Sequence, residues 1–201
     1  RRSSDLVFGK DTHLKVATLL KEQHCKKVLI HYGGHSAIKS GLIDEIRSVL
    51  DEAGIAYVTL GGVVPNPRLS KVREGIELCR RENVDFLLAV GGGSVIDSCK
   101  AIGYGLANPE TDVWNFFLRT ETPKACLPVG VILTIAASGS EMSNSCVITN
   151  EDGWLKRSTA RNDLCRPRFA ILNPRLTYTL PQYQTESGCV DILMHTMEQI
   201  G

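Results

Sequence analysis

The run Leu87-Leu88-Ala89-Val90-Gly91-Gly92-Gly93-Ser94-Val95-Ile96-Asp97 restricts the fold more than any other part of this chain. A short apolar stretch meets three glycines, and helical spacing follows. Such a stretch reads as a strand covered on both faces. Glycines at its end let backbone N–H groups approach a ligand, because no Cβ stands in the way. The helix start behind them adds N–H groups without intrahelical partners and the positive end of the dipole, which suit a phosphate. The turn therefore reads either as a seat for a nucleotide pyrophosphate or as a tight βα turn with no ligand.

A second turn of this design, Gly33-Gly34-His35-Ser36, follows the strand-like Val28-Leu29-Ile30-His31-Tyr32. Neither turn is GxGxxG, so the standard Rossmann fingerprint is absent. Further strands are predicted over residues 55–60, 86–90, 129–133, 146–149 and 169–172. Helices are predicted over 38–53, ended by Gly54, around Val72, Ile76 and Cys79, and over 95–106. Strands alternating with helices imply parallel βαβ units with right-handed crossovers. The expected fold is α/β: a parallel Rossmann-like sheet with flanking helices, both glycine turns lying at its carboxyl edge. Asn150-Glu151-Asp152-Gly153 reads as a turn between strand-like pieces. After Pro181 the pattern changes, and residues 182–200 read as a helix with Val190, Leu193, Met194 and Met197 apolar.

The charge balance excludes some functions. Lys plus Arg number 23 against 22 for Asp plus Glu, a net charge of +1. A general nucleic-acid binder carries a strong basic excess, so no nucleic-acid partner is expected. No 18-residue apolar run occurs, and no membrane span is expected. No signal-peptide segment follows Arg1-Arg2-Ser3-Ser4. The seven cysteines are odd in number and lack CxxC spacing, so they read as reduced thiols of a cytoplasmic protein.

Ser94 and Asp97 have the S-x-x-D spacing of a capping box. Helix capping and a ligand contact are both open to them. Asp191 and His195 stand four apart on the last predicted helix, on one face, where they could share a divalent ion or make a surface contact. His13 and His24 read as surface residues and His31 as part of a strand.

Read in order, these pieces resemble the iron-containing (group III) alcohol dehydrogenases, and most the NADP-dependent butanol dehydrogenase and aldehyde reductase branch. The resemblance rests on Val7-Phe8-Gly9-Lys10, Tyr32-Gly33-Gly34-His35-Ser36, Gly61-Gly62-Val63-Val64-Pro65-Asn66-Pro67 and the Leu88 to Asp97 run. It rests also on Leu133-Thr134-Ile135-Ala136-Ala137-Ser138-Gly139-Ser140-Glu141-Met142 and Val190-Asp191-Ile192-Leu193-Met194-His195-Thr196-Met197-Glu198-Gln199. It implies a dinucleotide-binding α/β domain over 1–180, with 181–201 beginning an all-helical metal-binding domain. By the same resemblance Asp191 and His195 are the catalytic metal ligands, two further His ligands lie past Gly201, and residues 1–201 alone are inactive. The metal could be Fe, Zn, Ni or Mn.

The resemblance assigns cofactor contacts to Gly33, Gly34, Ser36, Asn66, Pro67, Gly92, Gly93, Ser94, Asp97, Thr134, Ser138 and Lys156. NAD-preferring relatives often carry Asp where this chain has Gly34, which implies NADP with NAD second. His35 could meet a 2′-phosphate or face water. The implied substrates are short-chain alcohols and aldehydes such as butanol and butanal, and a homodimer is open to the protein. Two other readings stand beside this one. One is a glycerol dehydrogenase or dehydroquinate synthase-like enzyme of the same architecture, the other a non-catalytic nucleotide-binding fragment.

Overall fold

The computed structural model describes residues 5–134 and 139–173, except the side chains of His35 and Ser36. Its elements in chain order are β1 (Asp5–Phe8), α1 (Val16–Glu22), β2 (Lys27–Tyr32), α2 (His35–Lys39), α3 (Leu42–Ala53), β3 (Ala56–Leu60), α4 (Leu69–Glu82) and β4 (Phe86–Gly91). Then come α5 (Gly93–Ala107), α6 (Trp114–Leu118), β5 (Val129–Leu133), β6 (Val147–Asn150), β7 (Leu155–Ser158) and β8 (Phe169–Leu172). Six strands form one sheet in the order β1-β8-β5-β4-β2-β3, and every neighbouring pair is parallel.

Both faces of this sheet are covered, which is why its inner strands are largely apolar. Val28, Ile30, Leu88, Val90, Ile132 and Ile171 point to the face packed by α1 and α3, through Val16, Leu20, Ile43, Ile46 and Leu50. Their alternates Leu29, Leu87, Ala89, Val131 and Leu172 point to the face packed by α4 and α5. Those two helices interlock through glycines. A Cβ on Gly75 would stand 2.4 Å from Ile102 Cδ1, and one on Gly105 would stand 2.2 Å from Ile76 Cδ1. Each isoleucine thus fills the notch left by the other helix's missing side chain.

Several expectations change. The predicted helix over 38–53 is two helices, because Gly41 adopts φ 75° and breaks the chain between Lys39 and Leu42. Gly54, at φ 71°, ends α3 as expected. Helix α5 begins at Gly93 rather than Val95. The predicted strand over 146–149 does not enter the parallel sheet: β6 pairs antiparallel with β7 in a separate hairpin. Strand β1 and helices α1 and α6 were not anticipated. His13 is buried at 5% exposure instead of lying on the surface. It is held between the Glu45 carboxylate at 2.6 Å and the Asn173 amide at 3.0 Å. His24 is exposed. The helix over 182–200 lies outside the described residues, and no described helix is long and apolar enough to cross a membrane.

Candidate functional site

Strands β2 and β4 are neighbours, with Tyr32 paired to Val90. Both therefore end at the same edge, and their glycine turns lie side by side as the sequence implied. The chain leaves them in opposite directions. After β2 it crosses to the α3 face and returns as β3 on one side; after β4 it enters α5 on the opposite face and returns as β5 on the other side. Such a divergence opens a crevice at the carboxyl ends of the strands, the usual ligand position in open α/β sheets.

Backbone hydrogen bonds tie the crevice walls together. Gly62 N–H donates to Gly33 C=O at 2.9 Å and Val63 N–H to Tyr32 C=O at 3.3 Å, which folds the 61–67 loop over the first glycine turn. Thr134 N–H donates to Gly91 C=O at 3.1 Å, which brings the end of β5 to the second. A Cβ on Gly91 would stand 2.7 Å from Val95 Cγ2, so this glycine lets α5 pack down on the strand end. A Cβ on Gly34 would meet no atom within 4 Å. Gly33, Gly34, Gly92, Gly93 and Ser94 thus line one edge, with Thr134 at its end. Bare backbone on two adjacent turns, beside the start of a long helix, fits a pyrophosphate.

A second wall comes from farther along the chain. The amine of Lys156 on β7 donates to Asn66 Oδ1 at 2.8 Å, so two of the residues singled out by resemblance meet. Asn66 holds φ 56°, a conformation asparagine tolerates better than most residues. Thr149 N–H donates to Pro67 C=O at 2.9 Å. At the hairpin turn Glu151 accepts from the Ser70 N–H at 3.3 Å and from its hydroxyl, and the Arg68 guanidinium lies 4.9 Å from the centre of the Trp154 ring. The hairpin is thereby fastened to the start of α4, and Lys156 is carried to the 61–67 loop.

The capping box does not form. Gly92 is the N-cap of α5 and no side chain caps it, which leaves Ser94 inside the first turn. Asp97 turns away and accepts from Val147 N–H at 3.2 Å. Burial raises its carboxyl from 3.8 to about 6, against the opposing pull of Lys100, the Val147 N–H, the Ser140 hydroxyl and Lys156. The six described cysteines are free, and the thiols of Cys25 and Cys79 are pushed up to about 12. Burial is the leading cause, so neither is a thiolate at neutral pH.

Two buried polar residues matter here: His31, read from the sequence as part of a strand, and Lys100, which that reading did not single out. His31 is fully buried. Its Nδ1 lies 2.8 Å from Leu60 C=O and its Nε2 2.8 Å from Ser98 Oγ. A carbonyl only accepts, so Nδ1 carries the proton and Nε2 accepts from the serine. Lys100 is also fully buried, and its amine faces four oxygens of residues 140–145. A lysine three residues after Asp97, followed by the largely apolar run Ala101 to Ala107, was the available signal.

Ser138, Asp191 and His195 lie outside the described residues, and the Ser36 side chain is not described. Among the described residues no group of three or more His, Cys, Asp and Glu could hold a metal ion.

Comparisons with known proteins agree with this architecture. A family model described as iron-containing alcohol dehydrogenase matches residues 3–174. The chain is 45% identical over 196 residues to a probable NADH-dependent butanol dehydrogenase of Bacillus subtilis, covering 96% of this chain and 49% of that protein. It is 40% identical over 199 residues to an NADPH-dependent aldehyde reductase of Escherichia coli, with the same coverage. The crystal structure of NADH-dependent butanol dehydrogenase A from Thermotoga maritima matches with a TM-score of 0.88 at 40% identity, covering 95% of this chain and 48% of that one. The chain spans about half the length of the curated relatives it matches. Their names divide between the two pyridine coenzymes.

Proposed function

We propose that this chain, which belongs to the iron-containing alcohol dehydrogenase family, is the coenzyme-binding part of a metal-dependent NADP(H) alcohol dehydrogenase or aldehyde reductase. Its substrates are short-chain alcohols and aldehydes of the butanol and butanal class. The observation that carries this reading is the crevice between the ends of β2 and β4, where two glycine turns lie side by side at the point of divergence.

In this reading residues 1–180 form the dinucleotide domain and 181–201 begin a helical domain. Gly92, Gly93 and Ser94 hold the pyrophosphate on backbone N–H groups at the start of α5. Gly33, Gly34 and Ser36 lie beside the adenosine ribose, and Asn66 and Pro67 line the adenosine side. Thr134, Ser138, Asp97 and Lys156 complete the cleft. Asp191 and His195, with further ligands from the rest of the protein, would hold a divalent metal. When bound, the coenzyme exchanges the hydride and the metal acts as a Lewis acid on the substrate oxygen.

Gly34 supports NADP(H), because an Asp there would accept from the ribose 2′-OH and repel a 2′-phosphate. The NADH-dependent relatives favour the opposite choice. Gly34→Asp decides between them, since the new side chain enters open space. In the whole protein it is expected to lower the NADPH-to-NADH ratio of kcat/KM by about a hundredfold, the scale of one repelled charge. An unchanged ratio removes Gly34 from coenzyme choice. The function itself is tested by NADPH fluorescence titration, followed by butanal reduction before and after chelation. Coenzyme binding, with turnover lost on chelation and restored by a divalent metal, is expected. No binding of either coenzyme overturns the reading.

A further inference from the structure

Lys100 is a buried amine whose partners all lie in one short segment. Its Nζ donates to Ser140 C=O at 2.8 Å, Ser143 C=O at 3.0 Å, Ser143 Oγ at 3.0 Å and Ser145 C=O at 3.1 Å. An ammonium has three N–H groups, so four oxygens at these distances saturate it. Removing an ammonium from water is costly unless such bonds are made, so the amine is stable there only while the segment keeps its shape. Ser143 Oγ also donates to Ser145 C=O at 3.1 Å, which closes the segment on itself.

The same helix grips the segment's far end. Asp97, one turn before Lys100, accepts from Val147 N–H, the first residue of the β6–β7 hairpin. One face of α5 therefore holds residues 140–147 at both ends, while the start of that helix forms the second glycine turn. The hairpin in turn carries Lys156 to Asn66.

We infer that Lys100 is a positioning residue for coenzyme binding: by clamping residues 140–145 to α5 it sets the Asp97 carboxylate and the Lys156 hairpin relative to the glycine turn. This rests on the coenzyme-binding reading above. Lys100 acts through residues 140–147 and the hairpin that follows them.

The role has a charge signature. Asp97 is faced by Lys100 from its own helix, by Lys156 from β7, by the Ser140 hydroxyl and Val147 N–H, and by the thiols of Cys146 and Cys165. Burial pushes both thiols up, so the charged neighbours are the two lysines. The ionised carboxylate is the better acceptor for Val147. Coenzyme affinity should therefore be full above the Asp97 pKa and fall as pH drops through it, near 6. Removing the Lys100 charge raises that midpoint.

The test uses the whole protein, with NADPH binding followed by fluorescence across pH. Lys100→Met is expected to weaken NADPH about tenfold, to raise its KM with kcat nearly unchanged, and to move the acid midpoint upward. Ser143→Ala keeps the charge and leaves three carbonyls for the three N–H groups of Lys100, but loses the Ser143–Ser145 bond that closes the segment, so it is expected to weaken NADPH about threefold at an unshifted midpoint. If the wild-type protein binds NADPH and Lys100→Met matches it in affinity and midpoint, Lys100 has no such role. Unchanged binding by Ser143→Ala shows that the shape of this segment does not set coenzyme affinity, which overturns the inference even where Lys100→Met does not fold. Wild-type protein that binds no coenzyme removes the earlier reading instead.

Discussion

Acidifying the protein from neutral pH toward about 4.5 is expected to remove on the order of 2–3 kcal/mol of stability through His31 alone. Its ring is fully buried between β3 and α5, and burial lowers its pKa from 6.5 to about 4. The cause is the cost of charging an imidazole away from water, and the bond to Leu60 C=O only partly opposes it. The sign follows from proton counting. Between about 4 and 6.5 the unfolded chain binds a proton that the folded ring refuses. Stability from the neutral ring is therefore complete above 6.5 and declines as pH falls toward 4. Other carboxylates also titrate in acid, so the measurement needs a control. His31→Gln cannot take up the proton. It is expected to cost about 1–2 kcal/mol at neutral pH, because bonds to Leu60 and Ser98 are lost or strained. Its denaturant stability should then approach that of wild type as the pH falls below about 5. Two curves that stay parallel across this range would show that His31 does not titrate as described.

Gly130→Ala is expected to destabilise the fold by about 3 kcal/mol. Propensity alone argues the other way, since alanine costs less chain entropy than glycine by about 0.5–1 kcal/mol. Packing decides the outcome. Gly130 in β5 pairs directly with Phe169 in β8. A Cβ on it would stand 2.3 Å from Phe169 Cζ and 2.6 and 2.7 Å from the two Cε atoms. The ring has little room to retreat: it is 1% exposed and stacks on Phe86 with centroids 5.8 Å apart at 12°. Inserting a methyl into such a site commonly costs 1–3 kcal/mol, and here the obstacle is a rigid ring rather than the end of a flexible chain. Chemical denaturation checks the magnitude. Phe169→Leu should cost less in the Gly130→Ala background than alone, because the two changes share one space. Additive costs would show that the clash is relieved elsewhere.

Much of the architecture was legible in the residues, for a physical reason. A parallel sheet covered on both faces favours near-continuous apolar strands; 86–90 and 129–133 show them, and His31 is the one exception within 28–32. The glycine turns stand out because backbone must come close there. What escaped detection lacked such a signature. Asp5-Leu6-Val7-Phe8 forms an edge strand, where half-exposed positions blur the pattern. The spacing Ile38, Leu42, Ile46 continues through Gly41, so periodicity could not register the break. Ser94 and Asp97 had the spacing of a cap, but Gly92 took that position and Asp97 found Val147. His13 and Lys100 look like surface residues by type. Their partners Glu45, Asn173 and residues 140–145 are brought to them only by the tertiary fold. The Asn66–Lys156 pair was named by resemblance, while the hydrogen bond between them was not readable.

The reciprocal notches of α4 and α5 make those two helices a single mechanical piece. Sliding one along the other would drive Ile76 and Ile102 out of Gly105 and Gly75 and into neighbouring turns. The floor of the crevice is therefore stiff along that direction. Any adjustment to an incoming molecule along it falls to the 61–67 loop beside the first glycine turn. Sequence drift that replaced either glycine would loosen a joint far from any bound molecule and still be felt at the crevice.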